Sequence, residues 1–130
     1  MPIEPIWVDD NHSIIMAEFS GSWTWDEYHE ANRILREMAG TVEHRVDVIT
    51  DLSQSHGLPE NNLLANIGRG HNVEIPNLGI IVTVQPPRVI EALRPIVNQI
   101  TGRENRFSVH TLDDAYTLIA QSRQNDNHSS

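Results

Sequence analysis

The residues of this chain best placed to do chemistry lie in one run, VITDLSQSHGLPENNLL, from Val48 to Leu64. Asp51 closes an apolar segment, Ser53, Ser55, His56 and Gly57 follow, and Leu58-Pro59 opens a helix-like stretch. The pattern predicts a strand-to-helix turn. In α/β sheets such turns gather at the carboxyl ends of the strands, where ligands bind. A serine ahead of a helix start is also a place for phosphate, which adds about −1.5 to −2 charges where backbone N–H groups receive anions. The plainer alternative is that Ser53 and Ser55 bond nearby backbone as turn residues.

Other chemistries find less support. Ser55 and His56 are adjacent, lack an identifiable orienting acid and stand outside any Gly-x-Ser-x-Gly elbow, so they do not make a hydrolytic pair. Of the seven His residues, none has a His-x-x-x-His or His-Glu-x-x-His partner, and Arg33 stands where His29-Glu30 would need one. A metal site would have to join distant loops, such as His56 with His71. Gly68-Arg69-Gly70 is too short for a phosphate loop, and Asp113-Asp114 reads as helix capping. No catalytic constellation, metal or other cofactor is expected, and the chain is read as a non-enzyme. Trp23 and Trp25 bracket a helix start. Trp25 is expected in the core and Trp23 as a staple of the helix entry; alternatively, one ring lines an apolar pocket or an interface.

These residues need elements to hold them. Ile6–Val8 and Ser13–Phe19 read as strands joined by the turn formers Asp9 to His12. Thr24 with Glu27 forms a capping box for a helix carrying Trp25, Tyr28, Ala31, Leu35 and Met38, ended by Gly40. Arg45–Leu52 is the next strand, and Pro59 to about Ile67 a short helix. Leu78–Gln85 is the strongest strand and is expected at the centre of the sheet. A helix from about Pro87 carries Val89, Ile90, Leu93, Ile96, Val97 and Ile100, with Pro95 inside it as a kink. Arg106–His110 forms a last strand, and Thr111 caps a last helix. The tail from 124 to 130 is expected to be frayed and disordered.

Strands alternating with helices imply a single-domain α/β fold over residues 1–123, with a mostly parallel sheet and an N-terminal antiparallel hairpin strand. By alternation, Ala17, Phe19, Val46, Val48, Leu78, Ile80, Val82, Val84, Phe107 and Val109 share one face. The opposite face mixes apolar and polar residues. Helices are therefore expected mainly on one face, leaving the other partly open for dimerisation or a ligand, or simply solvated.

Composition narrows the setting. The chain has 130 residues, no Cys, nine Arg without Lys, and a net charge of −9. That charge argues against non-specific nucleic-acid binding. The absence of Cys removes disulfides and thiolate chemistry. The N-terminus lacks the pattern of a signal peptide, and no apolar run is long enough to span a bilayer, so a cytoplasmic location is expected. The charges divide between an acidic helix (Asp26, Glu27, Glu30, Glu37) and arginines in the later half.

The order of these segments carries a resemblance. SGSWTWDEYHEANRILREM follows a hairpin strand, VDVITDLS enters a loop, LGIIVTV follows, and RFSVHTLDDAYTLIAQ closes the series. Over roughly residues 5–123 this resembles the STAS or SpoIIAA-like group, the domain of bacterial anti-sigma factor antagonists. The resemblance implies a βα superhelix and a regulatory role through protein–protein contact, with a partner or a second copy. It also makes Ser55 the candidate phosphosite, since Gly57 and Leu58 match the Asp-Ser-Ser-Gly-Leu pattern. Gln54 stands where that pattern has Asp, and His56 where it has the second Ser. Asp51, Ser53, His56, Gly57 and Leu58 are the candidate interaction loop. A third expectation is a small apolar or lipid-like ligand held between helices and sheet.

Overall fold

The computed structural model describes residues 2–59, 62, 63, 65, 66, 69, 75–101 and 105–128. The elements run β1 (Ile3–Trp7), β2 (Ile14–Gly21), α1 (Trp25–Ala39), β3 (Val46–Ser55), β4 (Leu78–Val84), α2 (Arg88–Thr101), β5 (Arg106–Val109) and α3 (Leu112–His128). The five strands lie in the order β1-β2-β3-β4-β5, with β1 and β2 antiparallel and the remaining pairs parallel. The mixed α/β class and the N-terminal hairpin follow the sequence reading. β4 is an interior strand, paired with β3 on one side and the edge strand β5 on the other. Of the short helix expected between Pro59 and Ile67, the described residues Leu63, Ala65 and Asn66 are helical, and Asn66 N–H donates to the Asn62 carbonyl at 3.0 Å.

The hairpin turn is held by Asp9. Its carboxylate accepts from the backbone N–H groups of Ser13 (2.9 Å) and Ile14 (3.1 Å) and from the Ser13 hydroxyl. His12 adopts a left-handed φ of 53° and its ring stacks on Trp7, centroids 4.6 Å apart. At α1 the capping box forms as expected: Glu27 N–H donates to Thr24 Oγ1, and the Glu27 carboxylate accepts from Thr24 N–H. Arg33 bridges Glu30 and Glu37, so part of the acidic face of α1 is internally compensated. The backbone of α3 stays helical to His128, past the expected fraying point at Gln124. That stretch holds no Gly or Pro to stop it.

A monotonic strand order with right-handed crossovers sends every crossover helix to the same face. Accordingly α1 and α2 share one face, where Ile90 and Leu93 of α2 join Phe19, Trp23 and Trp25. α3 is not a crossover, and it packs on the opposite face through Ala115 and Ile119 against Ile14, Ile49, Ile80, Val82 and Val84. Among the described elements, the second face is therefore covered by α3 alone and is open only in part. On that side Glu4, Ile6 and Glu18 remain exposed.

The expected partition of residues between faces is corrected. Val46 pairs with Leu78 but Val48 pairs with Ile81, so β4 carries one extra residue there. Leu78 and Ile81 therefore face α1, whereas Ile80, Val82 and Val84 turn to α3. Alternation has a period of two, and one added residue inverts every side chain beyond it. Gly79 sits in this bulge. A Cβ there would lie 2.1 Å from Arg45 Nε and from Asp47 Oδ1.

Asp47 is wholly buried and ties α3 to the sheet. Its Oδ1 accepts from Ile80 N–H (2.8 Å) and Arg45, and its Oδ2 from Arg123 Nε (2.8 Å). Arg123 donates onward to the Ser13 carbonyl, and Arg45 to Ser122 of α3. A buried carboxylate is tolerable because its lone pairs are occupied by charged and backbone donors.

Candidate functional site

Between α1, α2 and the sheet lies a partly enclosed cavity of about 120 Å³. α1 supplies Trp25, Tyr28, Ala31, Asn32 and Leu35, positions that recur every three or four residues and so share a helical face. The strands supply Ala17, Phe19, Val48, Thr50, Leu52, Ile81, Thr83 and Arg106, and Leu58 and Ile90 complete the rim. Four aromatic rings form one wall. Trp23 meets Phe19 edge-on at 5.0 Å and Trp25 at 5.3 Å, and Trp25 meets Tyr28 at 5.4 Å. Such edge-to-face contacts fix ring orientation and keep the wall in place.

The lining is mainly apolar, with Asn32, Thr50, Thr83 and Arg106 as its polar residues beside Trp23, Trp25 and Tyr28. The indole N–H of Trp25 is buried without a hydrogen-bond partner, and the Asn32 side chain lies beside the Tyr28 phenol. Burial pushes the Tyr28 phenol above its usual 10.0, opposed in part by the neighbouring Asn32 side chain and the positive charge of Arg106. Tyr28 therefore stays protonated. Arg106 reaches this space because its strand partner is Ile81, placed inward by the bulge in β4.

The run from Asp51 to Leu58 sits at the edge of the cavity and is shaped differently from the expected turn. β3 continues to Ser55, which pairs with Gly21 of β2, so Ser55 ends a strand and does not start a helix. The Ser55 hydroxyl accepts from Trp23 Nε1 at 2.9 Å and donates to the Gly57 carbonyl at 2.9 Å. Asp51 accepts from Ser53 N–H at 3.0 Å, where the β2–β3 register shifts. His56 is exposed and its N–H donates to the Gly21 carbonyl. Gly57 has φ +106°, a conformation for which glycine is suited. Leu58 lines the cavity.

The structure thus joins two sets of residues that are separate in sequence. Trp23 and Trp25 are both buried, and Trp23 is bonded to Ser55. Asp51, Ser53 and His56 serve the backbone around this junction. His71, which a metal site with His56 would require, lies outside the described residues; among the described residues no cluster of three metal-ligating side chains is found. Tyr28, Asn32, Thr50, Thr83 and Arg106 were not legible as site residues. Only their common facing identifies them, and that depends on strand register. Among the described residues no helix is long and apolar enough to cross a membrane. No family model matches the chain, and no curated protein matches its sequence.

Proposed function

We propose that this chain is a non-catalytic STAS-like regulatory module that holds a small apolar molecule between its crossover helices and its sheet. It acts by protein–protein contact, with a partner or a second copy, through the Asp51–Leu58 segment. The observation that carries this reading is the aromatic-walled cavity of about 120 Å³. A dry cavity of roughly 150 Å³ accommodates benzene, so this one suits about one six-membered ring. Trp23 supplies the connection to the contact surface. Its ring belongs to the cavity wall, and its N–H holds Ser55.

Toluene is a suitable first probe. Saturable change in tryptophan fluorescence is expected on titration, with native mass spectrometry giving one toluene per chain. Ala31→Leu, which extends a buried side chain into the cavity, should abolish the response while far-ultraviolet circular dichroism stays unchanged. A folded unsubstituted protein giving no saturable response up to the solubility limit of toluene would overturn the reading.

A further inference from the structure

We infer that the molecule held in this cavity carries a hydroxyl on its ring-sized apolar body, as an alcohol or a phenol does, and that Thr50 and Thr83 bind that hydroxyl together. The inference rests on the cavity being a binding site and adds the chemistry of its occupant. Thr50 and Thr83 are register partners on the adjacent strands β3 and β4, and both line the cavity. Both strands are interior to the sheet, yet both side chains are only half-buried, so the surface they keep is surface of the cavity. Among the described residues neither hydroxyl has a hydrogen-bond partner, and neither is closed off as the Trp25 indole N–H is. The other polar groups of the lining are engaged: Trp23 donates to Ser55, Asn32 pairs with the Tyr28 phenol, and Arg106 has a partner of its own. The row of hydroxyls continues to Ser108 of β5, which accepts from Arg94 of α2. The hydroxyls left for a ligand are those on the cavity.

Adjacent strands lie about 4.8 Å apart, and an O–H···O hydrogen bond spans about 2.7–2.8 Å. One oxygen between two threonines of the same row therefore reaches both. The pair holds more lone pairs than protons, so a group that donates as well as accepts uses it more fully than a carbonyl does. A cationic amine would also donate and would suit the ring faces. It is opposed by the positive charge of Arg106, which lines the same space and is felt at Tyr28. Water fits the same bonds in the free protein, and a ligand hydroxyl replaces it without leaving a group unmet. The aromatic wall then receives the ring.

Toluene and phenol test this, since they differ by a methyl replaced by a hydroxyl. Calorimetric titration with each gives the ratio of their affinities. Thr50→Val and Thr83→Val each remove one hydroxyl and keep the branched shape, and valine is favoured in strands, so both variants should fold. Each should lower the phenol-to-toluene ratio by about 3- to 10-fold, the value of one neutral hydrogen bond. Thr83→Ser keeps the hydroxyl and should hold the ratio within about twofold. A ratio unchanged in both valine variants would overturn the inference and leave the cavity reading standing. So would binding of toluene to the unsubstituted protein without binding of phenol. Failure of both probes to bind the folded protein would instead remove the cavity reading, and this inference with it.

Discussion

Trp23 and Ser55 are joined by a 2.9 Å hydrogen bond from the indole N–H to the serine hydroxyl, which then donates to the carbonyl of Gly57. This bond connects the aromatic wall to the end of β3 and to the loop after it. Ser55 spends both its donor and one acceptor site on the protein.

That relationship predicts coupling. Trp23→Phe keeps a ring in the wall and removes the donor; Ser55→Ala removes the acceptor. Each should destabilise the fold by about 1 kcal/mol or somewhat more, and the double variant should cost less than the sum by about 0.5–1.5 kcal/mol. Urea denaturation of the four proteins measures this. Strict additivity would show that the bond contributes nothing.

Ser55→Asp tests the phosphosite expected from the resemblance. The carboxylate can still accept from Trp23 but has no proton for the Gly57 carbonyl, and it faces that oxygen with like charge. A loss of about 1–2 kcal/mol with altered tryptophan fluorescence is expected. An unchanged denaturation midpoint and spectrum would show that the position accommodates an acidic group without rearrangement.

Asp47 should be the most sensitive single position. Asp47→Ala leaves Arg45 and Arg123 without their shared carboxylate and strands the Ile80 N–H. Breaking a buried pair in this way costs about 3–5 kcal/mol. Gly79→Ala should also destabilise markedly, because the new methyl overlaps Arg45 and Asp47. Both effects act at one place, so combining the two substitutions should cost less than their sum. Thermal melts that show either change to be neutral would contradict the packing.

Asp9 gives a pH dependence of defined sign. Burial alone would raise its pKa, but the Ser13 side chain, the Ser13 and Ile14 backbone donors and the charge of Arg123 together hold it below the usual 3.8. The native carboxylate is therefore favoured over the unfolded one. Its contribution is fully present above that usual value and is lost as pH falls through the lower native value. Asp9→Ala should cost about 1–2 kcal/mol at pH 7. The gap should close only below about pH 4, in denaturation curves recorded down the acid range. A gap independent of pH across that range would assign the loss to packing alone.

Thr24→Ala removes the cap of α1 and should cost about 1 kcal/mol, read from the same denaturation measurement. α1 supplies five cavity-lining side chains (Trp25, Tyr28, Ala31, Asn32 and Leu35), so toluene binding should weaken with it. A full loss of stability without weakened binding would separate the cap from the cavity.

Local chemistry was readable from the chain. The capping box at Thr24 and Glu27, the Asp9–His12 turn, the Thr111 cap and the order of strands and helices each depend on neighbouring residues only. Their signals are side chains that bond backbone groups a few positions away. The phase of the strands depends on more than this. One extra residue near Gly79 exchanges the faces of Ile80, Val82 and Val84 and directs Ile81 and, beside it, Arg106 inward. Neither glycine nor alternation reveals a bulge before the partner strand is known. The burial of Asp47, the meeting of Trp23 with Ser55 and the cavity beside Trp25 likewise arise between segments far apart in sequence. Elements were determined locally, because caps and turns are local bonds. The site was decided by tertiary register, because which residues face one another is a property of paired strands and not of any one of them.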